Sequence, residues 1–210
     1  HEADLPPSET CGGDRKVDNL GPDLVRANQS GPSPGCCHQP FTLGEVEQSI
    51  ASRFRAQVAR NPNALAISEA SQSVSYGELD ALSSGLAHAI LALDLPAISP
   101  VALLLESGIA QVTGLMGVLK SGHAYVPIDP MLPAARVSAI LDDTSPALLI
   151  ICNATGSLAT AVSSNCLPTL NLDTLDCTLS TDDPMIEVAP DALAYVLFTS
   201  GTTGRPKGVV

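Results

Sequence analysis

The densest chemistry in the sequence lies near its end, in Thr199, Ser200, Gly201, Thr202, Thr203, Gly204, Arg205, Pro206, Lys207 and Gly208. Glycines let a backbone approach an anion closely and turn its N–H groups toward it. Threonine and serine hydroxyls donate to phosphate oxygens, and a lysine adds a compact positive charge. The apolar run Leu193–Phe198 just before this loop reads as a buried strand. Ligands of open α/β sheets bind beyond the carboxyl ends of the strands, where such a loop would stand. The expected ligand is a polyphosphate. The spacing is not that of kinases and GTPases, G-x-x-x-x-G-K-[ST], because Pro206 stands five positions after Gly201 and Gly208 follows Lys207.

Charge sharpens the reading. The 210 residues carry 10 Lys plus Arg against 22 Asp plus Glu, a formal net charge of −12. Such a balance argues against nucleic-acid binding, which needs a basic surface. Beyond residue 60 only four basic side chains occur, Lys120, Arg136, Arg205 and Lys207, and two of them lie in this loop. In an acidic body that local positive spot is where a polyphosphate would be accepted. Arg205 is read either as a phosphate contact or as a solvated cation.

The sequence holds no stretch approaching the ~18 apolar residues of a membrane span, so no membrane partner is expected. Its first residues, HEADLPPSET, are polar and acidic, and no secretory signal is expected there. The first residue is not Met, which fits an excised or processed piece. The expected location is cytoplasmic, with Cys11, Cys36, Cys37, Cys152, Cys166 and Cys177 as reduced thiols. Cys36, Cys37 and His38 lack a second ligand pair at zinc spacing, so no metal site is assigned.

These groups need a scaffold. Eleven of residues 1–40 are Gly or Pro, a composition that cannot bury enough apolar surface to offset chain entropy. They read as a linker or disordered leader. From Thr42 the pattern changes. A capping box, Thr42 with Glu45, opens a helix through Leu43, Val46, Ile50, Phe54 and Val58 to the stop at Asn61-Pro62. Strands follow near 64–68 and 73–75, and Ser75 with Glu78 caps a second helix whose apolar stripe is Tyr76, Leu79, Leu82, Leu86 and Ile90. Strands at 101–105, 124–126 and 147–151 alternate with helices at 109–119 and 133–142, and a last strand is expected at 193–198. This alternation implies a mostly parallel sheet flanked by helices, an α/β fold.

LAYVLFTSGTTGRPKG, residues 193–208, resembles the phosphate-binding signature of adenylate-forming enzymes, which include acyl-CoA ligases, luciferase and the adenylation domains of nonribosomal peptide synthetases. VSYGELDALSSGLAHAI, 74–90, is similar to the family's first core motif. LKSGHAYVPIDPMLPAARVSAILDDTSPALLI, 119–150, resembles its second core region in the peptide-synthetase style. Ser121 and His123 depart from the residues usual in that region, and the Glu106–Gly108 corner lacks a basic residue often found there.

The resemblance implies that residues 41–210 are the N-terminal part of an adenylation domain, its sheet incomplete at the C-terminus. It implies that MgATP and a carboxylic acid, here an amino acid, give an acyl adenylate and pyrophosphate, and that the acyl group passes to the phosphopantetheine thiol of a carrier domain. Carrier and condensation domains of the same synthetase would be partners. Thr199, Ser200, Gly201, Thr202, Thr203, Gly204 and Lys207 would bind the phosphates, and Lys207 is the candidate catalytic residue. The acid pocket and the lysine that contacts the carboxylate lie beyond this match in the family, so the 210-residue chain alone is expected to be inactive. The alternatives are an acyl-CoA ligase, or a degenerate relative that binds nucleotide weakly or mediates interactions. Tyr76, Glu78 and Leu79 are read as helix-start and core residues, Tyr125, Pro127 and Asp129 as fixing a turn, Asp142 and Asp143 as solvated, and His123 as a packed residue.

Overall fold

The computed structural model describes residues 44, 47–69, 72–96, 99–162, 167–176, 178–189, 191–199 and 207–209. Thr42, Leu43, Glu45 and Val46 fall outside these. Gly44 is helical, residues 47–49 are not, and helix α1 spans Ile50–Arg60, so the expected single helix is interrupted before Ile50. Ser49 starts α1. Its hydroxyl accepts the Ser52 N–H at 3.2 Å, which satisfies a donor that the start of a helix leaves open. The helix ends at Asn61 before Pro62, as the sequence predicts.

Strands β1 (Leu65–Ser68) and β2 (Ser73–Ser75) pair antiparallel and lead into α2 (Tyr76–Leu91). The expected capping box is formed. Glu78 N–H donates to Ser75 Oγ at 3.3 Å, and Ser75 N–H donates back to Glu78 Oε2 at 2.7 Å. These hydrogen bonds, the backbone one first, hold the Glu78 carboxyl below its usual range. Leu79, Leu86 and Ile90 face the core, but Leu82 is 47% exposed. Position 83, four beyond Leu79, lies on the inner face where position 82 does not. Ser83 and Ser84 are the buried residues there.

Strands β3 (Val101–Leu104), β4 (Tyr125–Ile128), β5 (Leu148–Ile151) and β6 (Thr169–Asn171) form a parallel sheet in the order β4-β3-β5-β6. Helices α3 (Ile109–Lys120), α4 (Ala134–Thr144) and α5 (Gly156–Val162) make the crossovers. Every residue of β3 and β5 is buried, as strands covered on both faces must be. Alternate side chains go to opposite faces. Val101, Leu103, Leu148 and Ile150 meet Leu86 and Ile90 of α2 and Val118 of α3. Ala102, Leu104, Leu149 and Ile151 meet Val137 and Ile140 of α4 and Ala159 of α5. Each fully buried large aliphatic contributes about 1.5–3 kcal/mol relative to exposure. The layers are helix, sheet, helix.

Two glycines let α3 come close. A Cβ on Gly117 would stand 2.5 Å from Leu86 Cδ2 and 2.9 Å from Leu86 Cβ, and one on Gly114 would stand 2.6 Å from Leu105 Cδ1.

Three sequence expectations change. The strand at 124–126 extends through Pro127, whose register partner is Leu103. Ala124 carbonyl accepts from Val101 on the β3 side, while Tyr125 turns its N–H and carbonyl outward. By alternation Pro127 also faces outward, where its missing N–H costs β3 nothing. Helix α5 and strand β6 are additional elements, the latter only three residues long. The last strand is β7 (Leu197–Thr199), preceded by a single parallel bridge between Tyr195 and Tyr125, and it pairs with β8 (Lys207–Val209).

Candidate functional site

β7 and β8 are antiparallel, with Leu197 opposite Val209, Phe198 opposite Gly208 and Thr199 opposite Lys207. The residues between them, from Ser200 to Pro206, include the predicted phosphate ligands Ser200, Gly201, Thr202, Thr203 and Gly204 and the cation Arg205, all outside the described residues. The structure therefore brings together the backbones of two predicted site residues, Thr199 and Lys207, at the base of a seven-residue connection. The expected buried strand into the loop is half realised. Val196 and Phe198 pack against the cluster beneath α4 and α5, while Leu193 and Leu197 are exposed.

The hairpin is tied to the sheet at one rung. Tyr125 N–H donates to the Ala194 carbonyl at 3.1 Å, and Val196 N–H donates to the Tyr125 carbonyl at 3.0 Å. The rings of Tyr125 and Tyr195 lie 5.8 Å apart at a tilt of 38°. Burial, and secondarily Tyr195, push the Tyr125 hydroxyl pKa up. The chain entering β7 thus meets β4 at Tyr195 in the same direction, and the connection from β7 to β8 leaves toward the carboxyl side of the sheet. Gly208 fits this close hairpin, since a Cβ there would stand 3.3 Å from Val196 Cγ1.

A second crevice lies where the chain order reverses, between the carboxyl ends of β3 and β5. Thr155 bridges the two ends: its hydroxyl donates to the Leu104 carbonyl at 2.7 Å and accepts from Cys152 N–H at 3.1 Å. A cavity of about 300 Å³ between the β1–β2 turn, α2, the start of α3 and the segment after β6 is lined by Glu69, Glu106, Asp173 and Thr113, with Leu82 and Leu172 as apolar wall. Glu69 accepts the N–H of Ile109 at the start of α3. Asp173 accepts the N–H of Asn153 at 2.7 Å. Three carboxylates facing one cavity repel a polyphosphate, so this cavity does not compete for one.

Lys120, counted among the few cations, is not available to a ligand. Its side chain is fully buried, and its ammonium reaches Asp80 Oδ1 at 2.7 Å and Ser84 Oγ at 2.8 Å. The ring of Phe54 lies 5.3 Å away. Sequence reasoning missed this cluster. Its traces were Asp80 and Ser84, one turn apart on the α2 face that periodicity assigned to leucine. Arg136 also has a partner within the protein.

The other singled-out residues take structural roles. Asp129 Oδ1 accepts the Met131 N–H at 2.8 Å in the turn after β4. Asp142 and Asp143 are exposed at the end of α4. Tyr76 packs at 6.1 Å from Phe54. His123 is buried, with Nδ1 at 3.1 Å from the Ser121 carbonyl and 3.2 Å from its hydroxyl. Cys152 is a buried free thiol. Among the described residues no group of His, Cys, Asp and Glu could hold a metal ion, and no helix is long and apolar enough to cross a membrane.

Residues 54–210 match the model of a family described as AMP-binding enzyme. Tyrocidine synthase 3 of Brevibacillus parabrevis is 36% identical over 166 residues, covering 79% of this chain and 3% of that protein. Nonribosomal peptide synthetase 5 of Gibberella zeae is 37% identical over 204 residues, 92% of this chain and 2% of that protein. The chain thus spans a small fraction of these relatives. Among solved structures, the nonribosomal peptide synthetase FmoA3 with bound α-methyl-L-serine-AMP superposes with a TM-score of 0.69 at 28% identity, over 76% of this chain and 17% of that one. The N-terminal domain of FACL13 from Mycobacterium tuberculosis, with an inhibitor bound, gives a TM-score of 0.69 at 27% identity, over 77% and 44%. The α/β fold matches the N-terminal part of these enzymes.

Proposed function

The chain belongs to the AMP-binding enzyme family, its relatives include nonribosomal peptide synthetases, and on that footing we propose that residues 41–210 are the N-terminal portion of an adenylation domain that activates an amino acid. In this reading residues 1–40 link it to a preceding domain, and the whole works in the cytoplasm. The observation that carries the reading is the Thr199–Lys207 pairing, which closes a hydroxyl- and glycine-rich connection at the carboxyl side of a parallel sheet.

A carboxylate oxygen of the amino acid attacks the α-phosphorus of ATP. The bond from that phosphorus to the β-bridging oxygen breaks, and pyrophosphate leaves with its electron pair. Negative charge grows on the departing oxygens. Backbone N–H groups of Gly201 and Gly204, hydroxyls of Thr199, Ser200, Thr202 and Thr203, and the Lys207 ammonium stabilise that charge when aimed at it beforehand. Mg²⁺ bound to the ATP phosphates would supply further neutralisation of their charge, beside the donors of this loop. The phosphopantetheine thiol of a carrier domain then takes the acyl group and releases AMP, with carrier and condensation domains as partners in one synthetase.

The test is amino-acid-dependent exchange of labelled pyrophosphate into ATP by the full-length protein, compared with a Thr202→Ala, Thr203→Ala double variant. Exchange that the double variant leaves untouched removes the loop from the mechanism. The likeness to a Mycobacterium tuberculosis fatty acyl CoA synthetase, with a TM-score of 0.68 at 26% identity, favours a second reading, an acyl-CoA ligase. Loading of a carrier domain in preference to free coenzyme A separates the two.

A further inference from the structure

We infer that Lys120 and Asp183 form a latch that fixes the segment 178–189 on helices α1, α2 and α3, and that Lys120 is through it a positioning residue for the β7–β8 hairpin. The inference rests on the adenylation reading only for its consequence in ATP use.

The segment 178–189 has no helix or strand, yet each of the three helices holds it by one side chain. Arg55 of α1 donates from Nη1 to Asp183 Oδ1 at 3.0 Å. His88 of α2 lies with Nε2 2.9 Å from the Asp182 carbonyl. Lys120 of α3 stands 3.6 Å from Asp183 Oδ2, an ion pair just beyond hydrogen-bond reach. Asp183 also accepts the N–H of Met185 on Oδ1 at 2.7 Å, which bends the chain at a residue with φ of 56°. A few residues on, Ile186 packs toward Gly122, whose Cβ would lie 3.1 Å from Ile186 Cγ2.

The four charges balance. Lys120 and Arg55 face Asp80 and Asp183, and the Lys120 side chain is 0% exposed while that of Asp183 is 10% exposed. The buried ammonium donates to the Asp80 carboxylate, the Asp80 carbonyl and the Ser84 hydroxyl of α2, and its remaining charge faces Asp183, a buried carboxylate that would be costly to leave without cations. That arrangement holds the segment 178–189 mainly through polar anchors. None of its residues is buried, and its backbone has no ladder of its own. A segment of that kind opens easily once its anchors are removed. It runs directly into the residues that meet β4 at Tyr125 and then into β7. Among the described residues Lys120 contacts Asp80, Ser84, Asp183 and Phe54 and no part of the hairpin. Its effect on the hairpin passes through Asp183.

The experiment uses the full-length protein, with Lys120→Met and Asp183→Asn as single variants and as a double variant. Amide hydrogen exchange should speed up by about tenfold or more at residues 185–199, including β7, with β5 amides unchanged. The double variant should match the worse single variant, since the two residues act as a unit. The KM for ATP should rise with kcat less affected. Equal loss of protection in β5 and β7, an unchanged rate at Leu197–Thr199, or additive effects in the double variant would overturn the latch. Asp183→Asn keeps the volume and leaves Lys120 paired with Asp80, so the test survives if Lys120→Met does not fold. The exchange readout is independent of nucleotide. A failed phosphate loop shows instead as an ATP KM that Lys207→Ala does not change.

Discussion

Thr199 and Lys207 face each other across the first rung of an antiparallel pair, so the seven residues between them leave and return at one point of the structure. That pairing fixes where the loop is rooted. It also makes Lys207 a strand residue, whose backbone position is set by Thr199.

Lys207→Ala in the full-length protein is therefore expected to lower adenylation without unfolding. Loss of one preorganised donor to developing charge costs on the order of 10²-fold in kcat. Pyrophosphate exchange measures the loss, and an unaltered thermal midpoint shows that the fold persists. Turnover equal to wild type would remove Lys207 from the chemistry.

The 210-residue chain by itself is expected to show no acid-dependent exchange of pyrophosphate into ATP. The acid pocket and the carboxylate-contacting lysine belong, by resemblance, to segments beyond this match. Exchange with any of the twenty common amino acids would contradict this.

Gly117→Ala is expected to destabilise by about 1–3 kcal/mol, the usual cost of overpacking a core. The added methyl meets Leu86 near its own backbone attachment, at 2.9 Å from Cβ, so rotation of that side chain gives no escape. Gly114→Ala meets only the methyl end of Leu105 and should cost less. Urea unfolding of both variants ranks them, and the reverse order would contradict the close α2–α3 packing.

Thr155→Val removes a hydroxyl that serves both Leu104 carbonyl and Cys152 N–H. Two buried backbone groups then lose a partner, at roughly 1–3 kcal/mol each. Thr155→Ser should restore most of the stability, because the bond is made by the hydroxyl and not the methyl. Equal destabilisation by Val and Ser would show that packing, not hydrogen bonding, joins the two strands.

The capping box gives a pH dependence with a definite sign. Glu78 has a folded-state pKa below its unfolded one, so the unfolded chain binds the proton more readily. Its contribution is complete above the unfolded pKa and is lost as pH falls through the carboxylate range to the folded value. Glu78→Gln should flatten the acid limb of a stability–pH curve while leaving the neutral region nearly unchanged. An identical acid limb in wild type and variant would contradict the reciprocal bonds with Ser75.

Much of this was legible in the residues. The runs at Val101–Leu104 and Leu148–Ile151 are continuous and apolar because both faces of the sheet are covered, and such runs announce themselves. The Ser75–Glu78 box carries its own signature. β6 did not, since three edge residues, Thr169–Asn171, have neither length nor alternation. The break at residues 47–49 was not legible, because the apolar spacing runs through Val46 and Ile50 without interruption, while Ser49 starts α1 there. At the site, the loop was legible as glycine and hydroxyl spacing. The Lys120 cluster was not, because its members are distant in sequence and a buried lysine looks in one dimension like any surface cation.

Pro127 has an effect that reaches past its own strand. Tyr125 offers the outer flank of β4 a donor and an acceptor, and the neighbouring chain uses both. Two residues later the donor is missing, so zippering of that chain onto β4 halts after one register step. The chain then peels away and spends its bonding capacity on β8. A single imino acid thereby ends the backbone pairing at Tyr125, and beyond that rung the hairpin is held to the sheet by side chains, Val196 and Phe198 against the cluster beneath α4 and α5.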